Sequence, residues 1–293
     1  MARVLVRDRA RLALGLLTLS ALIRTPLVWA LRRFLPGADA VPGIYYTALI
    51  FQELLLYALP ATLLLRRLRP QRADAPRRLR PWPLWVLLGA AAQYLLQGVS
   101  RLWQALLSLL PVSLSPGQVP MPRNPIEGLL AFLALVLTPA LAEELLFRRS
   151  VFPCLCKGMT QRRAFWLTVG VFALMHGSLA GLPAHLGMGM LTATLFLRTG
   201  DLFPAVMVHL SYNMAALLYS LFPPLQFWER IPPMPALLLS VAAAGLLLAP
   251  LLHQQRSLSR SAPAEPSRGI GWLAAGLLIL LTLGYLPELL PTP

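Results

Sequence analysis

Long apolar runs alternate with short polar or basic segments along this chain of 293 residues. Most runs have about 20 residues, the length that an α-helix needs to cross a hydrocarbon core. The pattern predicts membrane-spanning helices at 12–31, 43–65, 84–110, 126–147, 164–180, 182–198, 202–222, 235–252 and 269–290. The runs at 164–180 and 182–198 are the shortest, so one of them is a candidate for a re-entrant or tilted helix. Asn124 and Pro125 suit the N-cap and first position of the fourth helix, and 150–159 resembles a short interfacial connector.

The composition supports a membrane protein. Hydrophobic residues make up 57% of the chain, charged residues only 13%, and the mean hydropathy is +0.65, whereas soluble domains have about 25% charged residues. We therefore expect an all-α, polytopic transmembrane bundle of about eight or nine spanning helices with a functional site in its interior. The expected divisions are N-terminal helices at 1–120, a central helical core at 121–225 and C-terminal helices at 226–293.

The net charge of +15 does not indicate nucleic-acid binding. The basic residues cluster in short segments between the apolar runs, as in the Arg-rich and Pro-rich linker at 66–83, and such clusters mark the cytoplasmic side of a membrane. The linker at 111–125 is poor in basic residues and is expected outside. The expected partners are the lipid bilayer and no nucleic acid. We expect a multi-pass protein of a prokaryotic cell membrane with a cytoplasmic N-terminus.

Two adjacent carboxylates, Glu143 and Glu144, follow the apolar run at 126–137. A charged side chain in hydrocarbon costs at least ~2.5–3.5 kcal/mol, so residues of this kind mark functional sites. Glu144 and Arg148 are four residues apart and should form an ion pair on one helix face. Glu143 points about 100° away and is left without a partner on its own helix. Pro139, four residues earlier, should kink the helix.

Two further pairs of residues have the same spacing of four: Phe172 with His176, and His209 with Asn213. A carboxylate beside an imidazole can hold and deprotonate a water molecule, while a second imidazole and an amide can donate hydrogen bonds to an oxyanion. Together with Glu143, these groups suit peptide hydrolysis without a covalent intermediate. No serine lies in a Gly-x-Ser-x-Gly context that would indicate a serine hydrolase.

Two alternatives to this interpretation remain open. Glu143 and Glu144 with His176 and His209 could bind zinc with an open position, but Arg148 would neutralise Glu144 and repel a cation. We therefore expect no cofactor and no metal, with zinc as the alternative. Buried Glu and His residues also form proton relays, so a non-enzymatic immunity factor, scaffold or proton-coupled transporter is the second alternative.

The three motifs, Glu143-Glu144-x-x-x-Arg148, Phe172-x-x-x-His176 and His209-x-x-x-Asn213, resemble those of the CAAX protease and bacteriocin-processing (CPBP, Abi) family. This family includes the type II CAAX prenyl endopeptidases, which are described as intramembrane glutamic proteases. The resemblance covers about 125–220.

The resemblance implies that Glu143 and His176 activate water, that His209 and Asn213 stabilise the oxyanion, and that Glu144 and Arg148 support the site. It also implies a cavity open to the cytoplasmic side. A protein or peptide substrate would enter it from the membrane or the cytoplasm, and a prenylated substrate is not assumed.

A few polar residues lie outside these motifs. Glu53 is predicted at mid-depth in the second helix, and the favoured interpretation is structural, either a helix–helix hydrogen bond or a pair with Arg24. His185 belongs to no motif and is also expected to be structural. Cys154 and Cys156, one residue apart, indicate neither a disulfide framework nor a metal site.

Overall fold

The computed structural model of the protein describes residues 2–34, 41–68, 82–110, 119–232 and 269–285, with a few positions between 234 and 242. Most of the predicted helix at 235–252 lies outside the described residues, as do most of the linker at 66–83 and the first part of the linker at 111–125.

The described part of the chain is helical and contains no β-strand, which confirms the all-α fold. Two of its long helices, α2 and α4, combine α-helical and π-helical segments. The helices are α1 (Ala2–Phe34), α2 (Pro42–Glu53, Leu54–Ala58 and Leu59–Leu68), α3 (Trp82–Leu107), α4 (Pro125–Gly158), α5 (Gln161–Met175), α6 (Leu182–Thr199), α7 (Leu202–Leu221) and α8 (Ile270–Leu283).

The helix α4 begins as predicted but ends later. Asn124 accepts a hydrogen bond from the backbone N–H of Glu127 (2.9 Å), and Pro125 occupies the first turn. The connector predicted at 150–159 is wrong, because α4 continues to Gly158 and buries Val151 in the core. Its last turns pack against α1, so this apolar surface is covered by protein.

Within the described residues, three helices are long and apolar enough to be candidate membrane spans: Pro42–Arg66, Pro125–Gly158 and Leu202–Leu221. Ile270–Leu283 is a shorter apolar helix. The protein is an integral membrane protein, whereas the number of eight or nine spans and the cytoplasmic N-terminus remain predictions.

Each π-helical segment ends two residues before a proline. The pairs are Leu54–Ala58 with Pro60, Leu133–Leu137 with Pro139, and Leu145–Val151 with Pro153. Proline has no N–H and clashes with the carbonyl four residues earlier in a regular α-helix, and a π-turn is one way to accommodate it. At the second segment, the N–H of Thr138 donates to the carbonyl of Leu133, five residues back. These turns change the direction in which the residues between Pro139 and Pro153 face.

The helix α7 is central to the packing and contacts α3, α4 and α6. Its contact with α3 is close at Gly89, where an added Cβ would lie 2.0 Å from Oγ of Ser211 and 2.2 Å from the carbonyl oxygen of Val208. A glycine is therefore required for α3 and α7 to approach this closely. The contact fixes the position of His209 relative to α3.

Candidate active site

A cavity of about 420 Å³ lies among α2, α3, α4, α5, α6 and α7. Four of the six residues predicted from the sequence line it, while Glu144 and Arg148 are buried outside its lining. The polar residues of its wall are Glu53, Gln93, Gln97, Ser100, Gln104, Glu143, His176, His185, His209, Tyr212 and Asn213. Its volume is within the range of small-molecule binding sites.

Glu143 lies between the two histidines of the predicted site. Its Oε2 is 3.8 Å from Nε2 of His176 and 3.9 Å from Nε2 of His209. The side chain of Glu143 is only 4% exposed, and this oxygen has no hydrogen-bond partner in the described part of the chain. The distances are too long for direct hydrogen bonds and short enough for one water molecule to bond to both groups. Residues from α4, α5 and α7 therefore meet at one point, as predicted.

Glu144 is fully buried and uses both carboxylate oxygens. Oε2 pairs with Nε of Arg148 at 3.2 Å, the predicted ion pair, and Oε1 accepts a hydrogen bond from Nδ1 of His209 at 2.9 Å. Arg148 also donates to the carbonyl oxygen of Gly189 (3.2 Å) and to Thr192. The contact between Glu144 and His209 was not predicted, and it joins the first and third motifs directly.

The orientation of His176 is set by its own helix. Its Nδ1 lies 2.8 Å from the carbonyl oxygen of Phe172, and the two rings have centroids 4.8 Å apart. Since a carbonyl oxygen can only accept, Nδ1 carries the proton and Nε2 of the neutral ring is free to accept one. Nε2 is the atom that faces Glu143. The predicted packing of Phe172 against His176 is confirmed.

The end of α5 is held by donors from other helices. Arg24 of α1 donates to the carbonyl oxygen of His176 at 3.0 Å, and Tyr57 of α2 donates to that of Met175 at 3.4 Å. These carbonyls have no partner within α5, so outside donors stabilise the helix end. The next residue, Gly177, has φ of +62°, and a Cβ there would lie 2.1 Å from Nη2 of Arg24. Glycine thus permits both the turn and the approach of the guanidinium.

Sequence reasoning missed the place of His185 in the site. This residue of α6 lines the cavity, and its ring stacks on that of His176 with centroids 4.0 Å apart and an angle of 23° between planes. It was expected to be structural because it belongs to no motif. A useful signal was present, since His176, His185 and His209 all fall within predicted spans.

Glu53 also lines the cavity, and the expected pair with Arg24 is not an ion pair in the structure. Oε2 of Glu53 and Nε of Arg24 are both buried without a hydrogen-bond partner in the described residues. Arg24 instead uses Nη2 for the carbonyl of His176. The carboxylate of Glu53 therefore contributes to the polar wall of the cavity.

Asn213 lies one turn beyond His209 on α7 and is partly exposed to the cavity. Its amide makes no hydrogen bond to another described residue, so it is available to a ligand. Cys154 and Cys156 on α4 are free thiols.

A metal would find few free ligands in this site. Among the described residues, no group of three or more His, Cys, Asp and Glu side chains has the arrangement of a metal site. Both oxygens of Glu144 are already engaged, one by the cation of Arg148. Of the four ligands considered in the zinc alternative, Glu144 is thus occupied, and Glu143, His176 and His209 remain as candidate ligands.

Comparison with known families identifies the region that contains these motifs. Residues 125–215 match the family described as "Type II CAAX prenyl endopeptidase Rce1-like". The match covers less than a third of the chain, and this region is similar to the Rce1-like family. The matched segment includes all six predicted site residues and extends from the start of α4 into α7. No curated protein and no solved structure matched the chain.

The Rce1-like region does not contain the whole cavity wall. Glu53, Gln93 and Gln97 of the wall come from α2 and α3, and Arg24, which donates to the carbonyl of His176, comes from α1. All three helices precede the matched segment. These helices position His176 and supply polar groups beside the residues of the family motifs.

Proposed function

We propose that the protein is an intramembrane endopeptidase that hydrolyses a peptide bond with a water molecule activated by Glu143 and His176. The observation that carries the proposal is the position of the Glu143 carboxylate, within 4 Å of Nε2 of both His176 and His209. The family to which 125–215 belongs is one of endopeptidases, which supports the same reaction class.

In the first step, Glu143 and Nε2 of His176 hold the water from two sides. The carboxylate of Glu143 accepts one proton as the water oxygen attacks the carbonyl carbon of the substrate. His176 is suited to accept a hydrogen bond from this water, since its Nδ1–H is occupied by the carbonyl of Phe172. Burial of the site holds the reacting groups in place without reorganisation of bulk solvent.

In the second step, Nε2 of His209 and the amide of Asn213 donate hydrogen bonds to the oxyanion. Because Nδ1 of His209 donates to Glu144, Nε2 can also donate only when the ring carries both protons. Glu143 has by then taken up the proton of the water, so the negative charges at this stage are those of the oxyanion and of Glu144, and Glu144 is paired with Arg148.

In the last step, the intermediate collapses and the proton held by Glu143 passes to the nitrogen of the leaving amine. The peptide bond breaks, and the carboxylate of Glu143 is regenerated for the next water molecule. Glu144 and Arg148 do not touch the substrate in this scheme. Glu144 holds His209 in its orientation, and Arg148 holds Glu144.

The proposed substrate is a protein or peptide that enters from the membrane or from the cytoplasmic side. The description of the family names prenyl endopeptidases, but the residues of this cavity supply no separate argument for a prenyl group. The proposal is therefore limited to a peptide bond near an apolar segment.

Purified protein in detergent tests this function with quenched fluorescent peptides. Glu143→Gln, His176→Ala and His209→Ala should each abolish cleavage while the variants elute and melt as folded protein. Full cleavage by Glu143→Gln would overturn the proposal. A variant that cleaves nothing but retains a cell-based protection phenotype would instead support the non-enzymatic alternative.

Elemental analysis separates the metal-free mechanism from the zinc alternative. We expect active protein to contain less than one equivalent of zinc and to retain its activity after treatment with a chelator. Loss of activity with the chelator and recovery on addition of zinc would favour the zinc-dependent version.

Asn213→Ala should lower kcat by about 10²–10³-fold, the usual effect of losing one oxyanion donor. The physical reason is that the amide interacts with charge that develops only in the transition state, so KM should change less than kcat. Steady-state kinetics of the purified variant measure both values. Turnover close to that of the wild type would contradict the assigned role.

A further inference from the structure

The helix α3 presents a row of polar side chains to the cavity, although it lies outside the family region. The row follows one helix face with spacings of three and four residues and consists of Gln93, Gln97, Ser100 and Gln104. Gln104, nearest the end of the helix, donates to the carbonyl oxygen of Ala180 (3.4 Å). Gln93 and Gln97 have no hydrogen-bond partner in the part of the chain that the structure describes.

The absence of such partners is informative because Gln93 is only 5% exposed. Its carboxamide is not among the fully buried polar atoms that lack a partner, so the small exposed part of Gln93 includes polar atoms, and such side chains in protein interiors are nearly always bonded to protein or to water. Both glutamines line the same cavity as Glu143. Their carboxamides are therefore placed to bond with whatever occupies it.

The chemistry of the wall favours a neutral ligand with both donors and acceptors. Each carboxamide offers N–H donors and a carbonyl acceptor, and Oε2 of Glu53 is a further buried acceptor without a partner. An anion would meet the carboxylates of Glu53 and Glu143, and a lipid chain would leave the amides unsatisfied. A peptide main chain supplies an N–H and a C=O at each residue.

The spacing of the two glutamines fits an extended peptide. Four residues of α-helix rise about 6 Å, while two residues of an extended chain advance about 6.5–7 Å and present equivalent backbone groups on the same edge. Gln93 and Gln97 can thus contact alternate residues of one strand that runs along α3.

We propose that Gln93 and Gln97 form a binding site for the main chain of the substrate, which they hold extended beside Glu143. This inference rests on the proposed endopeptidase function. Recognition through the main chain does not depend on the side chains of the substrate, so sequence selectivity would come from other parts of the cavity. Gln93 and Gln97 are positioning residues that bind substrate without taking part in proton transfer.

The test begins with peptides from a mixed-sequence library that wild-type protein cleaves and Glu143→Ala does not. Gln93→Leu and Gln97→Leu should each raise KM about 3- to 10-fold, the effect of one hydrogen bond, with kcat changed less than about 2-fold. Gln52→Leu is the matched control, because Gln52 lies in α2 outside the cavity lining. This control should retain the kinetics of the wild type.

Methylation of single backbone nitrogens in the same peptides separates main-chain recognition from a general effect on folding. At one or two positions near the cleaved bond, N-methylation should weaken cleavage by the wild type about 3- to 10-fold. The corresponding glutamine variant should show no additional loss with that methylated peptide.

Two results would overturn the proposal while leaving the endopeptidase function intact. One result is a KM in both leucine variants equal to that of the wild type. The other is that each N-methylated peptide loses cleavage by the same factor with the variants as with the wild type. If either variant does not fold, insensitivity of the wild type to N-methylation at every position beside the cleaved bond is sufficient to overturn it. A complete lack of cleavage that depends on Glu143 would overturn the proposed function and this inference together.

Discussion

Glu143 and Glu144 are adjacent in sequence, yet their surroundings differ. Consecutive residues of a helix point about 100° apart, so Glu143 faces the cavity while Glu144 faces Arg148 and His209. A buried carboxylate with two partners is stabilised as an anion, whereas one without partners is available for chemistry. The two roles follow from the direction in which each side chain leaves the helix.

Arg148→Met should destabilise the protein by about 3–5 kcal/mol, because it leaves Glu144 as a buried charge without its cation. Thermal unfolding in detergent, followed by loss of helical circular dichroism, measures the effect. The double variant Glu144→Gln/Arg148→Met should regain part of the loss, since the uncompensated charge is removed. Purely additive losses would contradict a direct interaction between the two side chains.

His185→Ala should lower kcat about 10-fold, because His176 loses the ring that stacks on it and small displacements of a catalytic group are costly. His185→Phe keeps an aromatic ring at this position and should retain most of the activity. Kinetics of the two variants on one peptide separate packing from proton transfer. Equal losses in both variants would indicate that a nitrogen of His185 is required.

Local contacts of the site could be predicted from residue spacing, and the meeting of Glu143, His176 and His209 from the combination of polar motifs. Other contacts between distant helices could not be predicted. The four-residue spacing gave the Glu144–Arg148 pair and the packing of Phe172 on His176, both of which are present. The bond from Glu144 to His209 spans 65 positions, and no periodic pattern indicates it. The donation from Arg24 to the carbonyl of His176 was missed for the same reason.

Among the helices, the effect of proline was predicted only in part. A kink at Pro139 was expected, but the π-turn that precedes it was not, and the same arrangement recurs before Pro60 and Pro153. A hydrophobic pattern reports which face of a helix is apolar over many residues. A single π-turn rotates the residues that follow it around the helix axis, and the periodicity of the sequence does not resolve this rotation.

Gly89→Ala should destabilise the protein by about 1–3 kcal/mol or more, because the new methyl group would clash with the backbone of α7. Activity should fall as well, since α7 carries His209 and Asn213. Gly15→Ala in α1 is the matched control, because nothing lies within 4 Å of its added Cβ. It should be neutral or stabilising, as alanine favours helix, and unfolding temperatures of both variants provide the comparison.

For the whole molecule, the distribution of arginines predicts which side of the membrane each linker occupies. A phosphatase reporter that is active only outside the cytoplasm should be inactive when fused after Arg66 and active when fused after Val119. The expectation follows from the cluster of basic residues at 66–83 and their scarcity at 111–125. Equal reporter activity at both sites would show that the predicted orientation is wrong.

The position of Arg24 has a consequence for how the protein can be divided. The segment 125–215 contains all six predicted site residues. The end of α5, however, is bonded by a guanidinium from α1 and a phenol from α2. A fragment limited to that segment would retain the reactive groups but lack the two hydrogen-bond donors that fix the end of α5 and the position of His176. A chimeric protein should therefore keep the first three helices together with the segment 125–215. Changes of substrate selectivity should be sought on the face of α3 that carries the glutamines.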